Sequence, residues 1–387
     1  MAPSAHCPHA DWDPRDPSVQ ADQIAAYDRL RDTLGVARSD MLGWSVFGHA
    51  DVLRALHDPQ AFSSAVSRHV AVPNGMDPPE HTRYRALIDP YFNAERVQAF
   101  EPRCAAIAQA LALAMAGQDT VDLAGAYTLP FAVHVQCAFM GWPAQLHAPL
   151  ADWIARHHRA SLAQDRPALA ALGQRFERRV AALLQERREQ GAGPEQDATA
   201  RLMHERVDGQ PLSDAHIASI VRNWTVGEIG TIAAAVGIVA HWLAHHADLQ
   251  AQLRAEPERH DEAIDEILRL HGPLVANRRI SACPVQLGGR SITAGDRVVL
   301  HWTSANRDPR VFDAPGTFRW GRKPEDNLLY GAGIHVCPGA PLARMELRVA
   351  LRALLAHAPQ LAPLPGQPPH RAQYPAMGFD RLPLRLR

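Results

Sequence analysis

Cys337 lies in Tyr330-Gly331-Ala332-Gly333-Ile334-His335-Val336-Cys337-Pro338-Gly339-Ala340-Pro341-Leu342-Ala343-Arg344, a glycine-punctuated loop that delivers one thiol to the start of an apolar helix. The thiolate is the metal-binding form of cysteine, and it is a costly buried anion unless something stabilises it. Backbone N–H groups of the loop and the positive end of the following helix are placed to do so. Gly331, Gly333 and Gly339 remove side chains that would hold the backbone away from a flat macrocycle. Beyond the loop, Leu342, Met345, Leu347, Val349 and Leu351 are apolar, and Arg344 and Arg348 take polar positions. An ordinary buried thiol needs none of this surrounding pattern. The chemistry it suits is ligation of a macrocycle-bound metal by a single sulfur.

The string resembles the signature of the cytochrome P450 family, in which an aromatic residue, Gly-x-Gly, His, Cys and Gly precede a helix containing Leu-Ala-Arg. Other segments of that family recur in order: Asp77-Pro78-Pro79-Glu80-His81 through Arg85, Glu266-Ile267-Leu268-Arg269, and Asn306-Arg307-Asp308-Pro309. Each is weak alone, since a Glu/Arg pair at i,i+3 decorates many exposed helices for ~0.2–0.5 kcal/mol. Their order carries the specificity, and the resemblance covers almost the whole chain. Tyr330 replaces the usual Phe, and Pro338 stands where Leu is common.

The resemblance implies a mainly α fold: one helix-rich domain over residues 1–387, with small peripheral β-sheets and a long central helix over the haem. It implies haem b as cofactor, Cys337 as the iron ligand with Gly339 beside it, and no fused reductase or ferredoxin domain. The implied activity is reductive activation of O2 and insertion of one oxygen atom into a small or medium hydrophobic substrate. Electrons then come from separate proteins, a ferredoxin and its NAD(P)H-dependent reductase. Arg83, Arg322, Lys323, Arg344 and Arg348 are candidates for a basic face that an acidic ferredoxin would recognise. A peroxide-driven peroxygenase and a non-catalytic haem sensor stand as alternatives.

The elements that must position these groups are legible in the periodicity. Leu169, Leu172, Phe176, Val180 and Leu183 mark one face of a helix from near Pro167 to Gly191. A longer helix runs from about Ser213, a plausible N-cap, to about His246, and must be largely buried. Short strands are expected at Gly43–Gly48, Val275–Ser281, Val285–Leu287, Arg297–His301 and Leu382–Leu386. Ala192–Ala198 reads as a connector inside one body. Gly227, Gly230 and Gly237 interrupt the long helix, and packing against a neighbour would account for Gly237.

By the resemblance, Gly227 and Thr231 lie where the long helix passes the iron. Aligning Gly227-Glu228-Ile229-Gly230-Thr231 on the family motif puts Gly230 where an acid usually precedes the threonine. Glu228 either supplies protons with Thr231 through a water or bonds elsewhere in the core. The bland alternative for Thr231 is a hydroxyl back-bonded one turn away. His81, Arg85, Arg279 and His335 match positions that hold the haem propionates, with Arg278 the alternative to Arg279. Glu266 and Arg269 are expected to brace the segment near Phe318-Arg319-Trp320-Gly321-Arg322. For the substrate pocket the resemblance nominates Val66–Asn74, Asn223, Trp224, Gly227, Leu274–Ala276 with Val275, and Met377–Phe379.

Composition excludes other classes. With 40 basic and 41 acidic residues the net charge is −1, so no basic field suits nucleic acid, and Lys323 is the only lysine. Five scattered cysteines form neither a disulfide framework nor a zinc pattern, which points to a reducing cytoplasm. The N-terminus has no signal-peptide core, and no membrane is expected. His6, Cys7 and His9, or His241 with His245, are weaker metal candidates, since 21 histidines make such neighbours common.

Overall fold

The structure, a computed structural model, describes residues 10–67, 69–374 and 376–386. The His6, Cys7 and His9 trio falls outside them.

Helices carry the architecture. The helix expected from Pro167 spans Arg166–Gln190, with Asp165 accepting from the Ala168 amide at its start and Leu172, Phe176, Val180 and Leu183 buried. The central helix spans Asp214–Ala244, capped by the Ser213 hydroxyl, which accepts from the His216 amide at 3.2 Å. Its 31 residues run about 46 Å at ~1.5 Å each. By length and hydropathy it is apolar enough to cross a membrane. Here it is the interior helix instead, packed on Leu129–Met140, Arg166–Gln190, His260–His271 and Ala340–His357. A helix apolar on all sides needs that many neighbours. Ala94–Ala114 completes the bundle by packing on Leu129–Met140 and Ala340–His357.

The sheets are small and peripheral. Val36–Ser39, Gly43–Val46, Arg297–His301, Ala276–Ser281 and Phe62–Ser63 form one five-stranded sheet in that order, and only the Gly43–Val46 pairing with Arg297–His301 is parallel. Val285–Leu287 pairs with Arg290–Ile292, and Pro383–Leu386 lies between Leu361–Pro363 and Thr120–Asp122. The expected strands are therefore present, Val285–Leu287 and Arg297–His301 with the expected ends and the other three one or two residues shorter. The partners that sequence reading missed are two to four residues long, too short for alternation to show.

At Gly237, an added Cβ would meet Phe379, Leu382 and Thr128 at 3.8–3.9 Å, ordinary contact. Packing therefore does not demand glycine there. Gly378 is different: its φ is +86°, and a Cβ would stand 3.1 Å from the Ala234 backbone, so the C-terminal turn reaches the central helix only through glycine.

Candidate functional site

The loop before Ala340–His357 is pinned from several directions. The Cys337 amide donates to the Tyr330 carbonyl at 2.9 Å, and the Arg85 guanidinium donates to the carbonyls of Val336 at 2.7 Å and Ile334 at 3.2 Å. Gly333 has φ +68°, and a Cβ there would sit 2.3 Å from the Leu56 carbonyl oxygen. Its glycine is thus required by the helix His49–His57 behind the loop, a correction to the macrocycle argument. At Gly339 a Cβ would meet Phe92 and the Cys337 Sγ at 3.8–3.9 Å, so space alone does not demand glycine there either. The Cys337 thiol keeps solvent access although protein surrounds it on nearly every side, which places it at the floor of a cleft. Burial pushes its pKa up, and the N–H groups of Gly339 and Ala340 pull it down.

Around that cleft gathers a cationic cradle. Arg279 is buried, its side chain donates among the described residues to the Arg278 carbonyl alone, and burial lowers its proton affinity with Asp77 opposing. His81 is buried with Nε2 lacking any partner, and its ring lies 4.2 Å from that of His335. His335 bonds the Met76 carbonyl at 3.1 Å, and burial, then His81 and Arg279, brings its pKa down to about 3. A buried guanidinium unanswered by an acid, beside an imidazole nitrogen without a partner, is a site for an anion. Two propionates fit it. Arg85 is less free than expected, since it also pairs with Asp89 at 2.7 Å.

A cavity of about 710 Å³ runs along the central helix, lined there by Val226, Gly230, Thr231, Ala233 and Ala234. Ala151, Ile154, His157 and His158 of the helix His147–Leu162 face it, with Leu274, Ala276, Met377 and Phe379 opposite. Met377 thus lies where expected. Leu274, Ala276 and Phe379 do as well, whereas Asn223, Trp224, Gly227 and Val275 do not line this cavity. Asn223 donates to the Val72 carbonyl at 2.9 Å and fastens the 66–74 loop. Trp224 stacks into the core against Tyr91 and Phe92 at 5.2 and 5.1 Å. Val275 packs with the cluster around Tyr27 and Phe47. Gly227 lies off the cavity, with open space where its Cβ would be. Sequence reading missed the helix His147–Leu162 altogether.

Thr225 donates to the Val221 carbonyl at 2.8 Å, the back-bond expected of a helical threonine, whereas Thr231 has no such bond and presents a free hydroxyl to the cavity. Glu228 does not line the cavity. Its carboxyl meets that of Glu346, from Ala340–His357, in the bundle core. Both Glu346 oxygens and Glu228 Oε1 are buried without a donor, which only a shared proton relieves. Of the two sequence alternatives for Glu228, the structure realises the core one. Glu346 was itself legible, as a charge between Leu342 and Val349 on the apolar face of its helix.

A family model for cytochrome P450 matches residues 142–372, more than half of the chain. Nocardicin C N-oxygenase of Nocardia uniformis is 33% identical over 346 residues, covering 85% of each chain. The chain belongs to the cytochrome P450 family. Erythromycin C-12 hydroxylase of Saccharopolyspora erythraea is 32% identical over 348 residues, covering 84% of this chain and 86% of that one. Among solved structures, a mutant of P450 EryK in complex with erythromycin B superposes with TM-score 0.85 at 27% identity, covering 95% and 96% of the two chains. CYP109E1 from Bacillus megaterium with testosterone gives 0.83 at 26% identity, covering 94% and 99%. This P450 is therefore a haem-thiolate monooxygenase whose cofactor is haem b.

The supporting shell of the P450 is tied to Glu266 and Arg269, which pair bidentately at 2.7 and 2.8 Å. Arg269 also donates to the carbonyls of Asn306 and Pro315, and Glu266 accepts from the Arg319 amide and the Arg322 side chain. Arg322 is thereby built into the segment before the cysteine and cannot serve a docking face. Of the other nominees, Arg83 pairs with Asp208, Arg344 with Asp265, and Arg348 with both Glu101 and Asp261. Lys323 alone stays exposed without an ion pair among the described residues. The nominated cations, Lys323 apart, are laced into ion pairs and do not form the free basic patch expected. His241 and His245 stack at 4.6 Å, and no third His, Cys, Asp or Glu joins them among the described residues.

Two expected results follow from these contacts. Arg279→Ala leaves a propionate unanswered at a cost of ~2–5 kcal/mol, so haem transfer to apomyoglobin should accelerate, and a wild-type rate would remove Arg279 from the cradle. The second concerns Glu346, whose pKa is raised by burial and then by Glu228. A group whose folded pKa is raised contributes stability below its unfolded value, about 4.3 for glutamate, and loses it as pH rises through the folded value. Glu346→Gln, neutral and still a donor, should therefore flatten the alkaline decline of the urea midpoint. An unchanged slope would show that the pair carries no shared proton.

Proposed function

We propose that this P450 works in the bacterial cytoplasm, takes electrons from a separate ferredoxin and NAD(P)H-dependent ferredoxin reductase, and oxygenates a medium-sized hydrophobic molecule. The observation that carries the substrate class is the cavity beside Thr231, whose volume of about 710 Å³ suits a ligand of that size. Its wall is apolar along the central helix and polar at Arg278, Arg297 and Tyr374. Relatives named as a hydroxylase, an epoxidase and an N-oxygenase support oxygen delivery to carbon or nitrogen.

In this reading Cys337 would hold the iron, and Arg279, Arg85, His81 and His335 would hold the propionates. Bound haem supplies reductive activation of O2, favoured by electron donation from the thiolate. The chain itself orients substrate along Val226–Ala234, excludes water with Ile154, Leu274 and Met377, and offers the free Thr231 hydroxyl as a hydrogen-bond partner. A screen of hydrophobic compounds read as Soret shifts, followed by NAD(P)H-driven turnover with a surrogate ferredoxin and reductase, tests it. Binding without oxygenated product would overturn it. One observation favours a second reading, the peroxygenase: no carboxylate on the central helix faces the cavity, and hydrogen peroxide brings its own protons. Product formed with peroxide as fast as with the reductase would select it.

A further inference from the structure

Gly230 sits under an imidazole. A Cβ at residue 230 would stand 3.2 Å from Cε1 and 3.3 Å from Nε2 of His158, so the ring edge of the facing helix occupies the space a larger side chain would claim. Thr231 is the next residue, and its hydroxyl and the His158 ring open on the same cavity. Among the described residues neither has a hydrogen-bond partner, while both Thr225 and the nearby Asn223 are bonded to carbonyls. Among the described residues, Asp380 is the one carboxylate lining the cavity. It lies near enough to His158 to raise that ring's proton affinity against the lowering by burial. The Asp380 side chain is 63% exposed and meets His370 at 3.6 Å, so it stands where bulk water reaches the cavity.

Other groups near His158 do not compete. His157, on its own helix, stacks on Trp153 at 5.3 Å with Nδ1 buried and unpaired, and burial, then His158 and Arg222, brings its pKa down to about 4. Glu228 is turned to Glu346.

We propose that His158, supplied from solvent beside Asp380, is the group that hands protons across Gly230 to the Thr231 side of the cavity. The inference rests on the monooxygenase reading above. Each turnover there consumes O2, two electrons from the redox partner and two protons, and leaves one oxygen in the substrate and one in water. His158 moves no electrons. A neutral imidazole gives its N–H proton on the cavity side and takes one from water on the other, returning through its second tautomer.

The test uses the haem-loaded protein with cumene hydroperoxide as probe and ascorbate as electron donor, so neither the native substrate nor the redox partners are needed. Two-electron breakage of the O–O bond consumes hydroperoxide, two electrons and two protons and gives cumyl alcohol and water. One-electron breakage needs no protonated leaving oxygen and gives the cumyloxyl radical, which breaks a C–CH3 bond to form acetophenone and a methyl radical. We expect His158→Phe to lower the alcohol-to-acetophenone ratio by about tenfold or more and to remove its pH dependence. Gly230→Asp in a His158→Ala background should restore the ratio, because a carboxylate then fills the space the ring left. An unchanged ratio and pH profile in His158→Phe overturns the proposal, and so does failed rescue, which would make the ring a mere spacer. A readout independent of turnover comes from 15N-histidine NMR. The resonance lost in His158→Phe should titrate in the wild type and shift in Asp380→Asn, and no shift would remove Asp380. If the reduced CO complex lacks the thiolate spectrum in the wild type, the monooxygenase reading itself fails, a distinguishable result.

Discussion

Cys337→Ser is expected to abolish the red-shifted Soret band that a thiolate-ligated ferrous haem gives with CO, and with it all reductase-driven turnover. A serine hydroxyl stays protonated where a cysteine ionises, so the electron donation that favours O–O cleavage is lost outright. The other cysteines should be replaceable by Ala with that band intact. Cys104 and Cys137 are buried in the bundle, and burial pushes their thiols up, that of Cys137 to about 12. Cys283 is exposed on a bend. Of the cysteines among the described residues, Cys337 alone combines a cleft floor with two backbone N–H groups aimed at its sulfur. Survival of the band in Cys337→Ser would overturn the ligand assignment and, with it, the reading of the loop.

Arg269→Ala should cost more in stability than any other single change on this surface of the molecule. Both partners of the ion pair are buried, Arg269 at 1% exposure and Glu266 at 5%. Removing Arg269 takes the bidentate partner from a buried carboxylate that keeps only Arg322 and the Arg319 amide, a loss at or below the ~3–5 kcal/mol of a fully broken buried pair. The loss also frees the carbonyls of Asn306 and Pro315. We therefore expect a lowered urea midpoint and poor haem incorporation at growth temperature. Glu266→Gln, which keeps the shape and some hydrogen bonds, should lose less. A midpoint within experimental error of wild type for Arg269→Ala would show that the pair is structurally idle.

The parts legible in the sequence were those whose chemistry is local. The thiol loop, the Glu266/Arg269 pair and the capped central helix each lie within a few residues of chain, so spacing alone displays them. The brace of Arg322 on Glu266, the turn of Glu228 to Glu346 and the seat of His158 over Gly230 were not legible, because each joins side chains from elements far apart in the chain. Gly230 was nonetheless a signal: a glycine costing up to ~1 kcal/mol inside a long helix asks what stands opposite it. Periodicity describes which face a helix buries and leaves its neighbour unnamed. The pocket nominations were right at Leu274, Ala276, Met377 and Phe379 and wrong at Trp224 and Val275 for the same reason, since those two satisfy the apolar pattern in the core as well as they would in a cavity.

Ser219, Arg222 and Asn223 bind the chain at residues 70–72 to the central helix through four hydrogen bonds of 2.9 Å. A loop fastened so tightly to a rigid rod is a poor place to seek new substrate scope, because altering its side chains disturbs the clamp before it reshapes any cavity wall. The wall from Ala151 to Ser161, by contrast, faces the cavity from a helix that is tied to its neighbour Arg166–Gln190 by the Trp153 indole, which donates to the Leu172 carbonyl at 3.0 Å and is not itself a wall residue. Variant libraries aimed at bulkier molecules therefore belong there and at Met377 and Phe379, with His158 held fixed.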